Sequence, residues 1–438
     1  MWRKRIQLGL IHTAVAITLV PINGVLNRVM IKELAIAATV VALLVSLPYL
    51  LSPIQVAIGS YSDRNPIFGL RRTPYILAGL LLCIAGALIA PHAAFALAEG
   101  GVDGWLLSVL AFGLWGMGYN LSAVSYLSLA SELDPAGRSR TIAVMFFLMF
   151  SGLIATAIVV SHMVDPYTPA ALIRAVWLSA GLAAALGLGG LLWLEPRFER
   201  GEAAAVAERD TWGEMLGEVF RNRQARIFFW YLLLLLAAIL GQDVLLEPYG
   251  GEAFGLTPSQ TARITAIWGG FVLVTLVMAG TVFARVPKRT IVRIGNWGAL
   301  VGFVLLAASG LVGSVSVFWL SITLLGLATG FATVSNLSLM LDMTTPQNVG
   351  LFIGAWGVAN ALSRLAGQVV SGALRDAVAL AAGPVIGYVV AFGVMGGFVL
   401  AAIVLLSRID VSEFQAHAQQ QPLSLVESAA LMHEAHGG

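Results

Sequence analysis

Apolar residues run along this chain in stretches of 20 to 27, separated by short polar or Pro/Gly-rich breaks. A bilayer core about 30 Å thick needs ~20 mostly apolar residues per helix, so each stretch is long enough to cross. The pattern predicts twelve helical spans, at 8–30, 36–60, 74–98, 105–130, 141–163, 171–194, 227–246, 260–283, 291–313, 315–341, 350–373 and 384–407. An even number places both termini on one side. The longest polar segment, 195–226, falls between spans six and seven. It divides the chain into an N-terminal half (1–194), a linker (195–226), a C-terminal half (227–407) and a tail (408–438). Within the linker Trp212, Leu216, Val219 and Phe220 recur at helical spacing beside Glu214, Glu218 and Arg221. That spacing fits a helix lying on the membrane surface or a solvated linker helix.

Composition agrees with the pattern. Of 438 residues 58% are hydrophobic and only 11% charged, with a mean hydropathy of +0.87, against roughly 25% charged residues in soluble domains. The chain reads as an all-α integral membrane protein. A net charge of +2 is too small and dispersed for a nucleic-acid partner, so the lipid bilayer is the environment to reckon with. The single cysteine, Cys83, excludes an internal disulfide and a Cys-based metal cluster. The start, MWRKRIQLGLIHTAVAITLV, has the basic head of a signal peptide but no small-residue cleavage site after it, and is expected to remain as the first span.

The distribution of charge sets the orientation. Nineteen Arg and Lys fall on the side of the termini and five (Arg28, Lys32, Arg174, Arg263, Arg375) on the other, while Arg364 lies inside a span. The positive-inside rule therefore predicts cytoplasmic termini. The halves also repeat: VSYLSL (124–129) in span four recurs as VSNLSL (334–339) in span ten, and Glu132 then aligns with Asp342. Equivalent positions in two six-helix halves are what a parallel internal repeat produces.

The loop between spans two and three, GSYSDRNPIFGLRRTP (59–74), resembles the signature loop of the major facilitator superfamily. Gly59, Asp63, Arg64, Gly69, Arg71 and Arg72 take the matching roles, with a longer spacer, NPIF, before Gly69. The resemblance implies the twelve-helix major facilitator fold of two six-helix halves, with Asp63 facing the start of helix eleven near Gly350. Electrostatically, an aspartate can face a helix N-terminus, and the arginines can pair with Glu132 and Asp134. The plainer reading is topogenic: basic residues holding a loop in the cytoplasm.

Spans one, four, seven and ten line the central cavity of that fold. Their polar residues include Asn23, Asn27 and Arg28; Tyr119 and Asn120; Gln242 and Asp243; and Asn336. NRVMIK (27–32) and QDVLLE (242–247) superpose at an offset of 215, setting Arg28 opposite Asp243 and Lys32 opposite Glu247. Opposite charges at symmetric positions predict a latch on the periplasmic side, where independent snorkelling is the alternative. Pro248 with Gly250 and Gly251 is expected to end helix seven at the surface, with Asp243 one turn inside. His12, His92 and His162 are the histidines outside the tail, and His12, the deepest, is the first candidate to ligate a cofactor's metal, although a lone histidine near a span end is more often a polar anchor. His433 and His436 sit in the tail. No metal site is expected. No catalytic or nucleotide-binding motif is present, and no enzymatic activity is expected.

GQDVLLEPYGGEAFGLTPSQTA (241–262), NGVLNRVMIKEL (23–34) and SYSDRNPIFGLRRTPYI (60–76) together resemble the PucC/LhaA bacteriochlorophyll-delivery family of the major facilitator superfamily. The resemblance covers all twelve spans. It implies a protein of the photosynthetic membrane that assembles light-harvesting complexes, holding (bacterio)chlorophyll and handing it to antenna polypeptides. Chlorophyll synthase, the insertion machinery and the reaction centre are the further partners it implies. A lipid-soluble tetrapyrrole needs an apolar pocket with lateral access, and the glycines of GLWGMG (113–118) and GLATG (326–330) leave room for a flat ring or for close helix packing. The competing reading is a proton-coupled carrier of a small solute in which Asp243 or Glu247 titrates. A third is a structural protein that stabilises an antenna ring without pigment.

Overall fold

The computed structural model describes residues 1–52, 54, 61–62, 65–134, 137–197, 223–280, 286–342 and 349–409. The described residues are almost wholly helical, and eleven of their helices are long and apolar enough to cross a membrane. The first span is α1 (Trp2–Ile17), continued by two π-helical segments, Val20–Leu26 and Val29–Glu33. Pro21, which has no amide hydrogen to donate, sits at the start of the first of these.

The second predicted span begins as two short pieces, α2 (Ala38–Val45) and α3 (Leu47–Leu50), and 55–60 lie outside the described residues. Spans three to six are α4 (Thr73–Glu99), α5 (Val102–Leu133), α6 (Arg138–Met163) and α7 (Pro169–Leu191). Span seven is α8 (Arg223–Gly241), a single 3₁₀ turn at Gln242–Val244, and α9 (Leu246–Phe254). Spans eight to twelve are α10 (Pro258–Gly280), α11 (Lys288–Val312), α12 (Val315–Asp342), α13 (Val349–Ala382) and α14 (Pro384–Ser407). The predicted surface helix around Trp212–Phe220 and the tail histidines lie outside the described residues.

Each half packs by the same scheme. In the N-terminal half α1 lies against α6 and α7, and α4 against α5 and α7; in the C-terminal half α8 lies against α13 and α14, and α11 against α12 and α14. The repeat read from VSYLSL and VSNLSL carries into this arrangement. Tyr126 of the first copy stacks 5.1 Å from His12 on span one, and Asn336 of the second accepts a 2.6 Å bond from Tyr231 on span seven. The halves meet where α6 packs on α10 and where α2 and α3 pack on α13.

Of the glycines singled out in spans four and ten, Gly116, Gly118, Gly326 and Gly330 serve packing, while Gly113 faces open space. A Cβ on Gly118 would collide with the backbone of α4 at Gly79 and Cys83, and one on Gly326 would lie 2.8 Å from the Trp268 carbonyl.

Residues 1–5, 134, 289 and 409 share one face, here the terminal face; Glu33–Ala38, Glu252 and Asp376 share the opposite, far face. One expectation fails on the far face: Pro248 does not end helix seven. It occupies the third position of α9, where an intrahelical amide partner is absent in any case, and the helix runs on to Gly255, whose φ of +66° terminates it. Asp243 consequently lies deeper than one turn from the helix end.

Candidate functional site

Polar groups between the halves fall into layers. On the far face, Arg28 is 1% exposed and gives Nη1 to Glu33 Oε1 at 2.9 Å and Nη2 to the Leu256 carbonyl at 2.7 Å. Lys32 Nζ donates to the Gly251 carbonyl at 2.8 Å, and Asn27 Nδ2 to the Val244 carbonyl at 2.9 Å. Asp376 accepts the backbone amides of Ala38 and Thr39 at 3.1 and 2.7 Å and the Thr39 hydroxyl at 2.6 Å, an anion at the N-terminus of α2. Glu252 pairs with Arg375 at 2.7 Å. First-half residues 27–39 are thus bonded to second-half residues 244–376.

The latch pairing read from sequence is corrected by this geometry. Arg28 does not meet Asp243, nor does Lys32 meet Glu247. The buried Glu247 carboxylate accepts from Thr265 Oγ1 at 3.2 Å, lies against Gly24, and has Oε2 without a partner. Equal offset in two repeats gives equivalent positions, not facing ones. The π segments of span one and the 3₁₀ turn of span seven then change the rotational phase of the side chains beyond them.

Asp243 instead faces Arg364 of α13, with Nη1 3.4 Å from Oδ2. The same Nη1 donates to the Tyr49 hydroxyl at 3.2 Å, and the guanidinium carbon stands 5.2 Å from the centre of the Tyr49 ring. Tyr119 lies within electrostatic reach of both Tyr49 and Arg364. Asn120 donates to the Pro48 carbonyl at 2.7 Å, and Ser46 to Gln368 at 2.6 Å. Gln242 is fully buried, and neither atom of its amide has a hydrogen-bond partner among the described residues. This central layer draws on spans two, four, seven and eleven, from both halves. Arg364 sits about 18 Å along α13 from Asp376 by helical rise, well inside the membrane.

The remaining candidates lie apart. Asn336 belongs to a cluster inside the second half, where Tyr231 bridges it to Asn296. Asn23 lies in the first π segment with its buried Oδ1 unpartnered. His12 is 8% exposed between the rings of Tyr126 and Phe146, both 5.1 Å away, and its Nδ1 has no partner. A magnesium ligand would use a ring nitrogen in the imidazole plane, and the buried Nδ1 is without a partner among the described residues.

On the terminal face, Asp63 and Arg64 lie outside the described residues. Arg72 pairs with Glu132 at 2.7 Å and reaches Ser62 at 2.7 Å. Asp134 pairs with Arg5 at 2.7 Å and accepts from Thr141 at 2.8 Å. The Arg5 guanidinium and the Thr141 hydroxyl hold the Asp134 carboxyl below the usual carboxylate range. Glu195, just after α7, accepts the backbone amides of Arg71, Arg72 and Thr73 at 2.8, 3.0 and 2.7 Å and so caps α4. These bonds lie within the first half or tie it to the first residue of the linker, Glu195.

Sequence reasoning passed over Arg364, Tyr49, Asp376 and Glu195. Arg364 carried a readable signal: an ionisable residue in the body of a span is a functional candidate by default.

Two pseudo-equivalent six-helix halves, meeting through spans two, five, eight and eleven and joined by polar layers between them, define a membrane protein of the major facilitator fold. The nucleoside transporter NupG superposes with a TM-score of 0.70 at 16% identity, covering 93% of this chain and 99% of that one. The family model described as PUCC protein matches residues 25–414, and the chain belongs to that family. Protein PucC of Cereibacter sphaeroides is 31% identical over 428 residues, covering 92% of this chain and 91% of the relative. Protein PucC of Rhodovulum sulfidophilum is 30% identical, covering 86% and 85%. A Rhodobacter capsulatus protein named bacteriochlorophyll synthase 44.5 kDa chain is also 30% identical, covering 86% and 88%.

Proposed function

We propose that this protein is a non-enzymatic assembly factor that binds (bacterio)chlorophyll and delivers it to light-harvesting antenna polypeptides. Its place is the cytoplasmic, or intracytoplasmic photosynthetic, membrane, with both termini in the cytoplasm. The observation that carries the reading is family membership across both halves, together with a relative named for bacteriochlorophyll synthesis. A hydrophobic cargo is oriented by a few fixed polar groups in otherwise apolar surroundings, and Tyr49, Asp243 and Arg364 are such groups between the halves. Chlorophyll synthase, the insertion machinery and the reaction centre are neighbours from which pigment is received or beside which it is placed.

A proton-coupled carrier of a small solute is the second reading, favoured by the Asp243–Arg364 pair between the halves. Purification from a phototroph followed by a near-infrared spectrum separates the two. Pigment-holding gives substoichiometric (bacterio)chlorophyll in the purified protein, and a deletion strain loses an antenna complex while pigment synthesis continues. Normal antenna levels in the deletion strain overturn the assembly reading.

A further inference from the structure

The guanidinium of Arg364 is bonded on one side only. Its bonds to Asp243 and Tyr49 both leave from Nη1, while Nε and Nη2 bond to no protein group among the described residues. Those two nitrogens form the edge with which arginine grips a carboxylate in a bidentate manner. The side chains of Arg364 and Asp243 remain 29% and 28% exposed, although spans two, four, seven and eleven gather round them. Buried arginines elsewhere in the chain are more fully engaged: Arg28 uses Nη1 and Nη2, and Arg72 bonds through Nε, Nη1 and Nη2.

An arginine inside a membrane is expensive to keep, and the Asp243 contact, at 3.4 Å through one nitrogen, is a weak counter-ion. One residue before Asp243, the fully buried Gln242 amide has no partner for either atom among the described residues, an omission that buried amides rarely show.

From these observations we propose that Arg364 is the recognition residue for a carboxylate carried on a large apolar body, held between the halves by the free Nε/Nη2 edge, with Asp243 as the counter-ion the ligand displaces and Tyr49 fixing the guanidinium plane. The cation–π contact with Tyr49 keeps the arginine oriented while its ionic partner changes. This rests on the pigment-holding reading above and revises what is held at this site: (bacterio)chlorophyll carries its propionate as an ester, so the acid that Arg364 grips belongs to the unesterified tetrapyrrole precursor, and the free acid is preferred to the ester. A fatty acid presents the same chemistry from another source.

The test uses the full-length protein in detergent, with tryptophan-fluorescence titration of pheophorbide a, its methyl ester and palmitate. The free acid is expected to bind about tenfold or more tightly than the ester. Arg364→Gln abolishes that preference while keeping ester affinity, and Arg364→Lys keeps part of it. Asp243→Asn tightens acid binding, because the competing carboxylate is gone. Size-exclusion profiles confirm that the variants are folded. Equal affinity for acid and ester, or a preference that survives Arg364→Gln, overturns the carboxylate site and leaves pigment-holding standing. Palmitate bound through Arg364 with no tetrapyrrole bound keeps the site and removes the pigment as its source. Binding of none of the three overturns both.

Discussion

The carboxylate of Asp376 on α13 holds the backbone amide and the hydroxyl of Thr39 at 2.7 and 2.6 Å, so the second half of the molecule caps the N-terminus of a helix in the first. Capping is normally local, supplied by a residue adjacent to the helix it ends. Here one carboxylate both satisfies orphan amides and ties two domains together.

Asp376→Ala is expected to cost about 1 kcal/mol of thermal stability, the usual cost of a lost cap, and to open the far face. In a Cys83→Ser background, a cysteine at the fully buried Ala38 should react faster with a membrane-impermeant maleimide when Asp376 is replaced. Unchanged labelling would show that the other far-face bonds suffice for closure.

Asp134 gives a pH dependence with a definite sign. Its carboxyl is held below the usual range by Arg5 and Thr141, so the stability it contributes is present above the ordinary aspartate pKa and disappears as pH falls through the lowered one. Melting temperature in detergent should therefore drop towards acid more steeply for the native protein than for Asp134→Asn. Parallel curves would remove Asp134 as a contributor.

Gly24 lets span one approach Glu247: a Cβ there would sit 3.0 Å from Oε1. Gly24→Ala should destabilise by about 1–3 kcal/mol through overpacking. Adding Glu247→Ala should restore part of the loss, since the obstructing carboxylate is then gone. Additive losses in the double variant would count against direct contact.

Glu195→Ala removes three hydrogen bonds from the start of α4 and is expected to lower stability by about 1–2 kcal/mol, with Glu195→Gln in between because an amide oxygen still accepts but carries no charge. Thermal melts of the three proteins order them.

Span positions and the internal repeat were legible because hydropathy and a six-residue match survive without knowledge of rotation about a helix axis. The loop arginines were legible in part: Glu132 does meet Arg72, while Asp134 is taken by Arg5. What could not be read were pairings that depend on helix phase. Seven residues of π-helix around Pro21 (Val20–Leu26) and one 3₁₀ turn at Gln242 redirect the side chains beyond them, and neither irregularity leaves a periodic trace in sequence. Glu195 and Asp376 were missed for another reason: a carboxylate that caps a helix more than a hundred residues away has no local motif around it.

Three of the far-face bonds end on backbone carbonyls, Arg28 on Leu256, Lys32 on Gly251 and Asn27 on Val244. A carbonyl neither titrates nor attracts counter-ions, so these bonds are insensitive at the acceptor to the acidity of the compartment they face, unlike the Asp376 carboxylate that seals the same face. Acidifying that fluid loosens the carboxylate part of the seal and leaves the carbonyl part standing, so full opening also needs a signal from whatever occupies the space between the halves.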